Sequence, residues 1–372
     1  MTSLSQKTSK QFLGAAMRVV TLALFVVVFG AGAAFAQTRL YVPNISSNNV
    51  SVVDPATNTV VATVPVGNLP IAAAVTPNGD FAYISNLAGN TVSVISAATN
   101  TVIATVPVGT QPFGLAASPN GAVVYVPCSI TNSVSVIDTA TNTVVATIAG
   151  VARAQFVAFT PNGALAYVTG QTASTVTVID TATNTVTATI SIIGPTGIAF
   201  TPNGAFAYVV SPIIPNGLVS VISTATNTVV ATINVGSSPF GVAITPTGDF
   251  AYVASSGSAN VSVIDTATNT VVATIPVGAS PQGVAINPDG TFAYVANAGS
   301  DNVSVIDTAT NTVTATIPVG DSPGFPAFPV KAAGPTNIEQ CKKGGWGTFT
   351  NPTFKNQGDC VSFVNRMNHL SN

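Results

Sequence analysis

Short apolar runs alternate with threonine, serine and asparagine along most of this chain, and turn-forming residues separate the runs. In residues 261–265, for example, valine and isoleucine alternate with serine before an aspartate, and residues 270–275 form the next run. Such alternation predicts half-buried β-strands with one neutral polar face. Asn-Gly pairs such as Asn78-Gly79 join neighbouring runs and predict tight hairpins.

The strand pattern repeats with a period in the low forties. All seven tyrosines occupy one position of the repeat, with spacings of 42, 42, 42, 41, 44 and 42 residues. They are Tyr41, Tyr83, Tyr125, Tyr167, Tyr208, Tyr252 and Tyr294. Four short strands within such a period are typical of a propeller blade. The sequence therefore predicts an all-β fold, a seven-bladed β-propeller of four-stranded antiparallel blades over residues 37–330.

The first repeat lacks its first strand, since residues 40–42 already match a second strand. Residues 322–330 occupy the place of a first strand after the last repeat, although three prolines interrupt them. We expect this segment to return and complete the blade of Tyr41. Such closure protects uncharged strand edges, which otherwise aggregate.

The repeated sequence motifs resemble a known family of repeats. Tyr294-Val-Ala-Asn297 and the run from Val303 through Ile306, Asp307 and the following Thr-Ala-Thr-Asn-Thr-Val resemble the YVTN β-propeller repeat family over residues 40–330. The resemblance implies an exported or cell-surface seven-bladed propeller, as in surface-layer proteins, and implies no activity. Similar propellers form domains of nitrous oxide reductase and haem-containing nitrite reductases, whose sites depend on histidines or cofactors.

The beginning of the chain has the features of a signal peptide. Lys7, Lys10 and Arg18 precede an uncharged run, and Ala34-Phe35-Ala36 offers a small-x-small cleavage pattern. We expect a leader at residues 1–36, an extracytoplasmic mature protein (secreted, periplasmic or at the cell surface), and no membrane span after cleavage. An uncleaved anchor helix is the alternative.

The residue inventory argues against several kinds of function. Residues 40–330 contain ten aspartates, one cation (Arg153), and no His, Glu, Lys or Trp. Nucleic-acid binding requires several cations, so no nucleic-acid partner is expected. Without imidazole, a serine nucleophile lacks its base and haem or copper lacks a ligand. We therefore expect no enzyme activity, no catalytic residues, no cofactor and no metal site, and we interpret the aspartates that follow the third strands as turn formers.

Departures from the repeat suggest a binding face. The loops between blades and after second strands open on one face of a propeller, and three of them are unusual here. Cys128 replaces the usual Asn; Arg153, Gln155 and Phe156 replace Ser-Pro-x-Gly; and residues 211–217 add an apolar tip with Ile213 and Ile214. We hypothesise a patch that joins charge recognition to apolar contact. Neutral drift in loops is the alternative.

Residues 331–372 form a C-terminal segment of different composition. We expect a disulfide between Cys341 and Cys360, and a contact with an anionic envelope polymer through Trp346, Lys342 and Lys343, unless Trp346 packs internally. The sequence thus favours a non-catalytic binding scaffold for a protein or envelope glycan. The alternatives are a structural surface-layer or matrix component and, less favoured, an aspartate- or metal-dependent enzyme.

Overall fold

A computed structural model describes residues 38–213, 215–329 and 357–358. The expected leader, Ile214, and the C-terminal residues Cys341, Lys342, Lys343, Trp346 and Cys360 lie outside the described residues, so the predictions on them stay predictions. No helix within the described ranges is long and apolar enough to cross a membrane.

The described chain forms seven antiparallel sheets, which confirms the predicted seven-bladed β-propeller. Blade 1 holds β1 to β3, and each later blade holds the next four strands in sequence order. In blades 1 to 4 the strands are β1 Leu40–Asn44, β2 Asn49–Asp54, β3 Thr59–Pro65, β4 Pro70–Val75, β5 Phe81–Asn86, β6 Thr91–Ser96, β7 Thr101–Pro107, β8 Ala116–Ala117, β9 Val123–Cys128, β10 Ser133–Asp138, β11 Thr143–Ala149, β12 Ala154–Phe159, β13 Leu165–Gly170, β14 Thr175–Asp180 and β15 Thr185–Ser191. In blades 5 to 7 they are β16 Ile198–Phe200, β17 Phe206–Ser211, β18 Gly217–Ser223, β19 Thr228–Val235, β20 Pro239–Ile244, β21 Phe250–Ser255, β22 Asn260–Asp265, β23 Thr270–Pro276, β24 Pro281–Ile286, β25 Phe292–Asn297, β26 Asn302–Asp307 and β27 Thr312–Pro318, with a 3-10 turn at Ser256–Ser258.

Residues 323–329, here called the closing segment, complete blade 1. Tyr41 N donates to Ala327 O at 3.0 Å, and Ala327 N donates to Tyr41 O at 3.1 Å. Gly324 N also donates to Pro43 O at 2.8 Å. The two ends of the repeat region are therefore paired, as the sequence predicted, because the prolines leave the alternate backbone groups of the segment free to bond.

The apolar core lies between blades rather than within one sheet. One cluster, for instance, joins Tyr252, Val261 and Val263 of blade 6 to Val295 and Ile306 of blade 7. All seven tyrosines are at most 1% exposed. Each sheet therefore buries both faces against its neighbours, which explains why a chain so poor in charge folds as a ring.

Six tyrosines link one blade to the next. Each donates its hydroxyl proton to Oδ1 of an asparagine in the turn before the next blade's fourth strand. The pairs are Tyr83 with Asn142, Tyr125 with Asn184, Tyr167 with Asn227, Tyr208 with Asn269, Tyr252 with Asn311, and Tyr294 with Asn58. These asparagines all have a positive φ near 54°, a conformation that asparagine tolerates better than most residues.

The ring has two distinct faces. The turn face carries the first hairpin of blades 2 to 7 and the turn before the last strand of each blade, which meet through bonds such as Ala97 N to Asp80 O at 2.9 Å. The mouth face carries the loops between blades and after second strands, which meet through bonds such as Leu87 N to Leu69 O at 2.9 Å. Asp265 accepts from Thr268 N at 2.8 Å, which supports its interpretation as a turn former.

Candidate functional site

Seven residues surround the mouth of the central channel, each just before the innermost strand of its blade. All have φ between 50° and 57°, and they are Leu69, Gln111, Arg153, Gly194, Ser238, Ser280 and Ser322. The left-handed conformation costs a residue other than glycine about 1–2 kcal/mol. Side-chain oxygens compensate at several positions: Arg153 N donates to Asn132 Oδ1 at 2.8 Å, and Ser322 N donates to Asp301 Oδ1 at 2.8 Å. The backbone of the rim is therefore held in place, which fixes the positions from which its side chains extend.

Three phenylalanines form the floor below the rim. The ring centroids of Phe156 and Phe325 are 4.7 Å apart, and those of Phe113 and Phe156 are 5.2 Å apart. Phe325 belongs to blade 1 and Phe156 to blade 4, on opposite sides of the ring, so their contact crosses the channel axis. Aromatic rings therefore meet across the channel at this level.

Neighbouring innermost strands also approach closely at the floor. Gly114 N donates to Gln155 O at 2.7 Å, and Gly197 N donates to Phe240 O at 3.0 Å. A Cβ on Gly114 would lie 2.4 Å from Phe156 Cδ1, so only glycine fits there. The glycine of the Pro-x-Gly motif thus allows neighbouring innermost strands to approach each other at the floor.

Two of the six predicted face residues are not on the surface. Cys128 is fully buried, and Phe156 is 8% exposed because its ring packs in the floor cluster. The Cys128 thiol contacts Val126 O at 3.3 Å, and burial raises its pKa. Because it is buried and its pKa is raised, the Cys128 thiol is expected to be inert.

The other predicted face residues lie on the mouth face. Arg153 is exposed on the rim, and the half-buried Gln155 donates from Nε2 to Gln171 Oε1 at 3.3 Å. Ile213 is half-buried in the loop after β17. Whether they form one binding patch stays a prediction.

Sequence reasoning missed Phe113, Phe325 and Asp301. The two phenylalanines follow Pro112 and Gly324 at repeat positions that showed no anomaly by themselves. Asp301 lies in an Asp-Asn pair with Asn302, which is a weak signal by itself. Its bond to Ser322 N spans 21 residues, the same spacing as the bond from Arg153 N to Asn132, so that recurring spacing was the available signal.

The described residues supply no ligand for a haem iron. Residues 38–329 contain no histidine or methionine, the Cys128 thiol is buried, and six tyrosine hydroxyls bond asparagines. The Phe156–Phe325 contact also occupies the axis. Haem iron in proteins takes His, Cys, Met or Tyr, so this part of the chain does not fit the group. No cluster of three or more metal-binding side chains occurs in the described ranges either.

Two family models match parts of the chain. A model described as "Lactonase, 7-bladed beta-propeller" matches residues 154–318. A model described as "Cytochrome D1 heme domain" matches residues 30–204. Both support a β-propeller repeat protein, and neither covers half of the chain. No curated protein matches.

Solved structures share the fold. A chain of Kuenenia stuttgartiensis hydrazine synthase is 27% identical with a TM-score of 0.67, covering 73% of this chain and 92% of that chain. A functionally unknown protein from Desulfotomaculum acetoxidans DSM 771 is 16% identical with a TM-score of 0.69, covering 78% and 99%. The second likeness shows the fold alone.

These comparisons correct the functional expectation. A non-catalytic scaffold and the absence of enzyme activity were inferred from the missing imidazole, and both inferences are wrong: the lactonase and cytochrome D1 models and hydrazine synthase indicate an enzyme-like or haem-binding propeller. The physical reason is that carboxylates, guanidinium groups and backbone donors can catalyse reactions without histidine.

Proposed function

We propose that this chain is an exported propeller enzyme with YVTN-type repeats that acts on a cyclic ester at the mouth of its channel. The observation that carries the proposal is the rim and floor: the exposed cation Arg153, whose backbone N donates to Asn132 Oδ1, lies on the rim beside the aromatic floor, and the lactonase model begins at the next residue, Ala154. Ligand sites of this kind combine an apolar surface with a few placed polar groups. Cytochrome D1 domains are typically periplasmic, which supports the extracytoplasmic part of the proposal.

The proposal gives different roles to the rim residue Arg153 and to Asp301, which accepts a bond from the rim residue Ser322. The apolar part of a lactone lies on Phe113, Phe156 and Phe325, and the Arg153 guanidinium donates hydrogen bonds to the carbonyl oxygen as negative charge develops on it. The Asp301 carboxylate, held by Ser322 N, accepts a proton from the attacking water. The water oxygen bonds to the carbonyl carbon, the ring ester bond breaks, and the alkoxide takes up the proton to give a hydroxy acid.

Hydrolysis of a panel of five- and six-membered lactones by the purified chain tests the proposal, with proton release as the readout. Asp301→Asn should lower kcat about 100-fold or more, the range for loss of a general base. Arg153→Gln should lower kcat/KM by a similar factor because one oxyanion donor is lost.

Asp249→Asn is the matched control. Asp249 is also exposed, but it lies in a hairpin on the turn face, so this variant should keep full activity. Failure to hydrolyse any lactone, or equal losses in all three variants, would contradict the proposal.

A redox-enzyme subunit is the second candidate. It is favoured by the 27% identity to hydrazine synthase over 92% of that chain, together with the cytochrome D1 match. Because residues 38–329 offer no fitting iron ligand, any haem would have to be held by groups outside them. Titration of the purified chain with haem, followed by the Soret band, tests this candidate: a stoichiometric shift supports it, and non-saturable binding contradicts it.

A further inference from the structure

The turn face carries a strong negative charge. Eight of the ten aspartates in the described residues lie on it: Asp54, Asp80, Asp138, Asp180, Asp249, Asp265, Asp289 and Asp307. The mouth face holds the other two, Asp301 and Asp321. Arg39 pairs with Asp54 at 2.6 Å, which is the one ion pair between described residues. Most of this negative charge is therefore without a countercharge in the described part of the chain.

The acidic residues are concentrated on one side of the ring. Asp249 and Asp265 belong to blade 6 and Asp289 and Asp307 to blade 7, whereas blades 1 to 4 have one turn-face aspartate each. Blade 5 has no turn-face aspartate, because Ser223 stands where blades 1, 3, 4, 6 and 7 have the turn aspartate. Asp289 and Asp54 both act electrostatically on the hydroxyl of Tyr294, which places carboxylates of adjacent blades near one point.

The closing segment delivers the chain to the same side. Pro329 bridges Val75, and the hairpin that ends at Asp80 begins at the next residue, Thr76. The described ring therefore ends on the turn face, between blades 1 and 2.

The sequence that follows has the opposite charge. Residues 331–372 contain five cations, Lys331, Lys342, Lys343, Lys355 and Arg366, against Glu339 and Asp359. Lys342 comes 13 residues after Pro329, a stretch that spans at most about 45 Å when extended. That stretch starts between blades 1 and 2, and blade 7 is the next blade around the ring from blade 1.

We propose that the basic segment, residues 331–366, binds the acidic turn face of blades 6, 7, 1 and 2, with Lys342 and Lys343 beside Asp80, Asp289 and Asp307. Single exposed ion pairs are weak. Several pairs formed by one attached segment reinforce each other, because attachment gives the segment a high effective concentration. This docking is independent of the proposed lactone hydrolysis and leaves the mouth face open.

Limited trypsin digestion of the full chain tests the docking, with cleavage after Lys342 and Lys343 followed by mass spectrometry. In the native chain, cleavage should be slow at low salt and several-fold faster at high salt, which screens exposed pairs. The variant Asp80→Asn/Asp289→Asn/Asp307→Asn should be cleaved at the fast rate at both salt concentrations. Asparagine keeps a side-chain oxygen to accept bonds such as Thr291 N to Asp289 Oδ1 at 3.0 Å, and circular dichroism checks that the variant is folded.

Asp301→Asn/Asp321→Asn is the matched control on the mouth face, and it should leave the slow rate unchanged. Equal cleavage rates in all three proteins, or protection that appears only after an anionic polysaccharide is added, would overturn the proposal. Zero-length carboxyl-to-amine cross-linking gives a second readout. Products joining Lys342 or Lys343 to Asp80, Asp289 or Asp307 support the docking, and products to Asp301 or Asp321 overturn it.

Discussion

The junction between blades 1 and 2 differs from the six other junctions of the ring. Those six each have a hydrogen bond from a tyrosine to the next blade's asparagine. At the exception, Tyr41 OH and Asn100 Oδ1 are both buried without a hydrogen-bond partner among the described residues. Backbone bonds of the closing segment stand in their place: Phe325 N donates to Ile71 O at 2.9 Å, and Ala73 N donates to Phe325 O at 3.1 Å. A repeated side-chain link can therefore be dispensed with where the chain closes on itself.

Alkaline pH should break all seven junctions together. Burial raises the pKa of Tyr41, Tyr83, Tyr125, Tyr208, Tyr252 and Tyr294 from 10.0 to about 12, and that of Tyr167 in the same direction. The folded chain then keeps protons that the unfolded chain loses above pH 10, so the free energy of unfolding falls between about pH 10 and 12 and is unaffected below. Tyrosinate absorbance should rise in one step with loss of the circular dichroism signal. Gradual ionisation near pH 10 in a folded protein would contradict this.

Removal of one closing side chain should have the next largest effect. Phe328 is 5% exposed and lies edge-on against Tyr294, with centroids 5.1 Å apart. Phe328→Ala should lower the free energy of unfolding by about 3–5 kcal/mol, as for other buried phenylalanines. Urea unfolding measures the loss. Phe206→Ala is the control, since Phe206 is 37% exposed, and an equal loss there would show that ring closure has no special weight.

Tyrosine-to-phenylalanine substitutions compare the two kinds of junction directly. Tyr252→Phe removes the 2.7 Å bond to Asn311 and leaves that amide oxygen unpaired, which should cost about 1–2 kcal/mol. Tyr41→Phe removes a hydroxyl that makes no such bond, so it should be neutral or slightly stabilising. The urea unfolding midpoints of the two variants measure these changes. Equal losses of stability in the two variants would mean that the Tyr41 hydroxyl does form a hydrogen bond in solution.

Repair of the exceptional junction should give the smallest change. The turn that carries Asn100 begins at Ser96, whereas Asp138 in the equivalent turn accepts from Thr141 N at 2.8 Å. Ser96→Asp should restore that bond to Thr99 N and stabilise the protein by about 0.5–1 kcal/mol. A double-mutant cycle with Tyr41→Phe then measures whether a fixed turn brings Asn100 to the hydroxyl. A coupling energy of zero would show that it does not.

Local sequence patterns were enough to predict the fold. Seven tyrosines in register, Asn-Gly hairpins and the missing first strand specified the blades and their closure, because each depends on neighbouring residues in one repeat. The Tyr–Asn links were missed because their partners are 59 to 61 residues apart in the first five pairs and in different blades. Such contacts depend on how one sheet packs against the next.

The candidate site was harder to predict for a related reason. Arg153 and Gln155 attracted attention as departures from the repeat, and they lie on the mouth face. Phe156 was expected in the binding patch, and the structure shows its ring packed against Phe325 from the opposite side of the ring of blades. Functional class was judged from residue types alone, which cannot replace knowledge of related enzymes.

The closing segment also determines when the protein can finish folding. Tyr41 is among the first residues of the ring to be made, and its backbone partner Ala327 is among the last. At about 5–20 residues per second, synthesis leaves the first three strands without their fourth for tens of seconds. Until then β1 has an unpaired edge, which exposes the nascent chain to pairing with other copies. Folding of the ring therefore cannot finish until the closing segment has been synthesised. The nascent chain should depend on chaperones mainly in the interval before that.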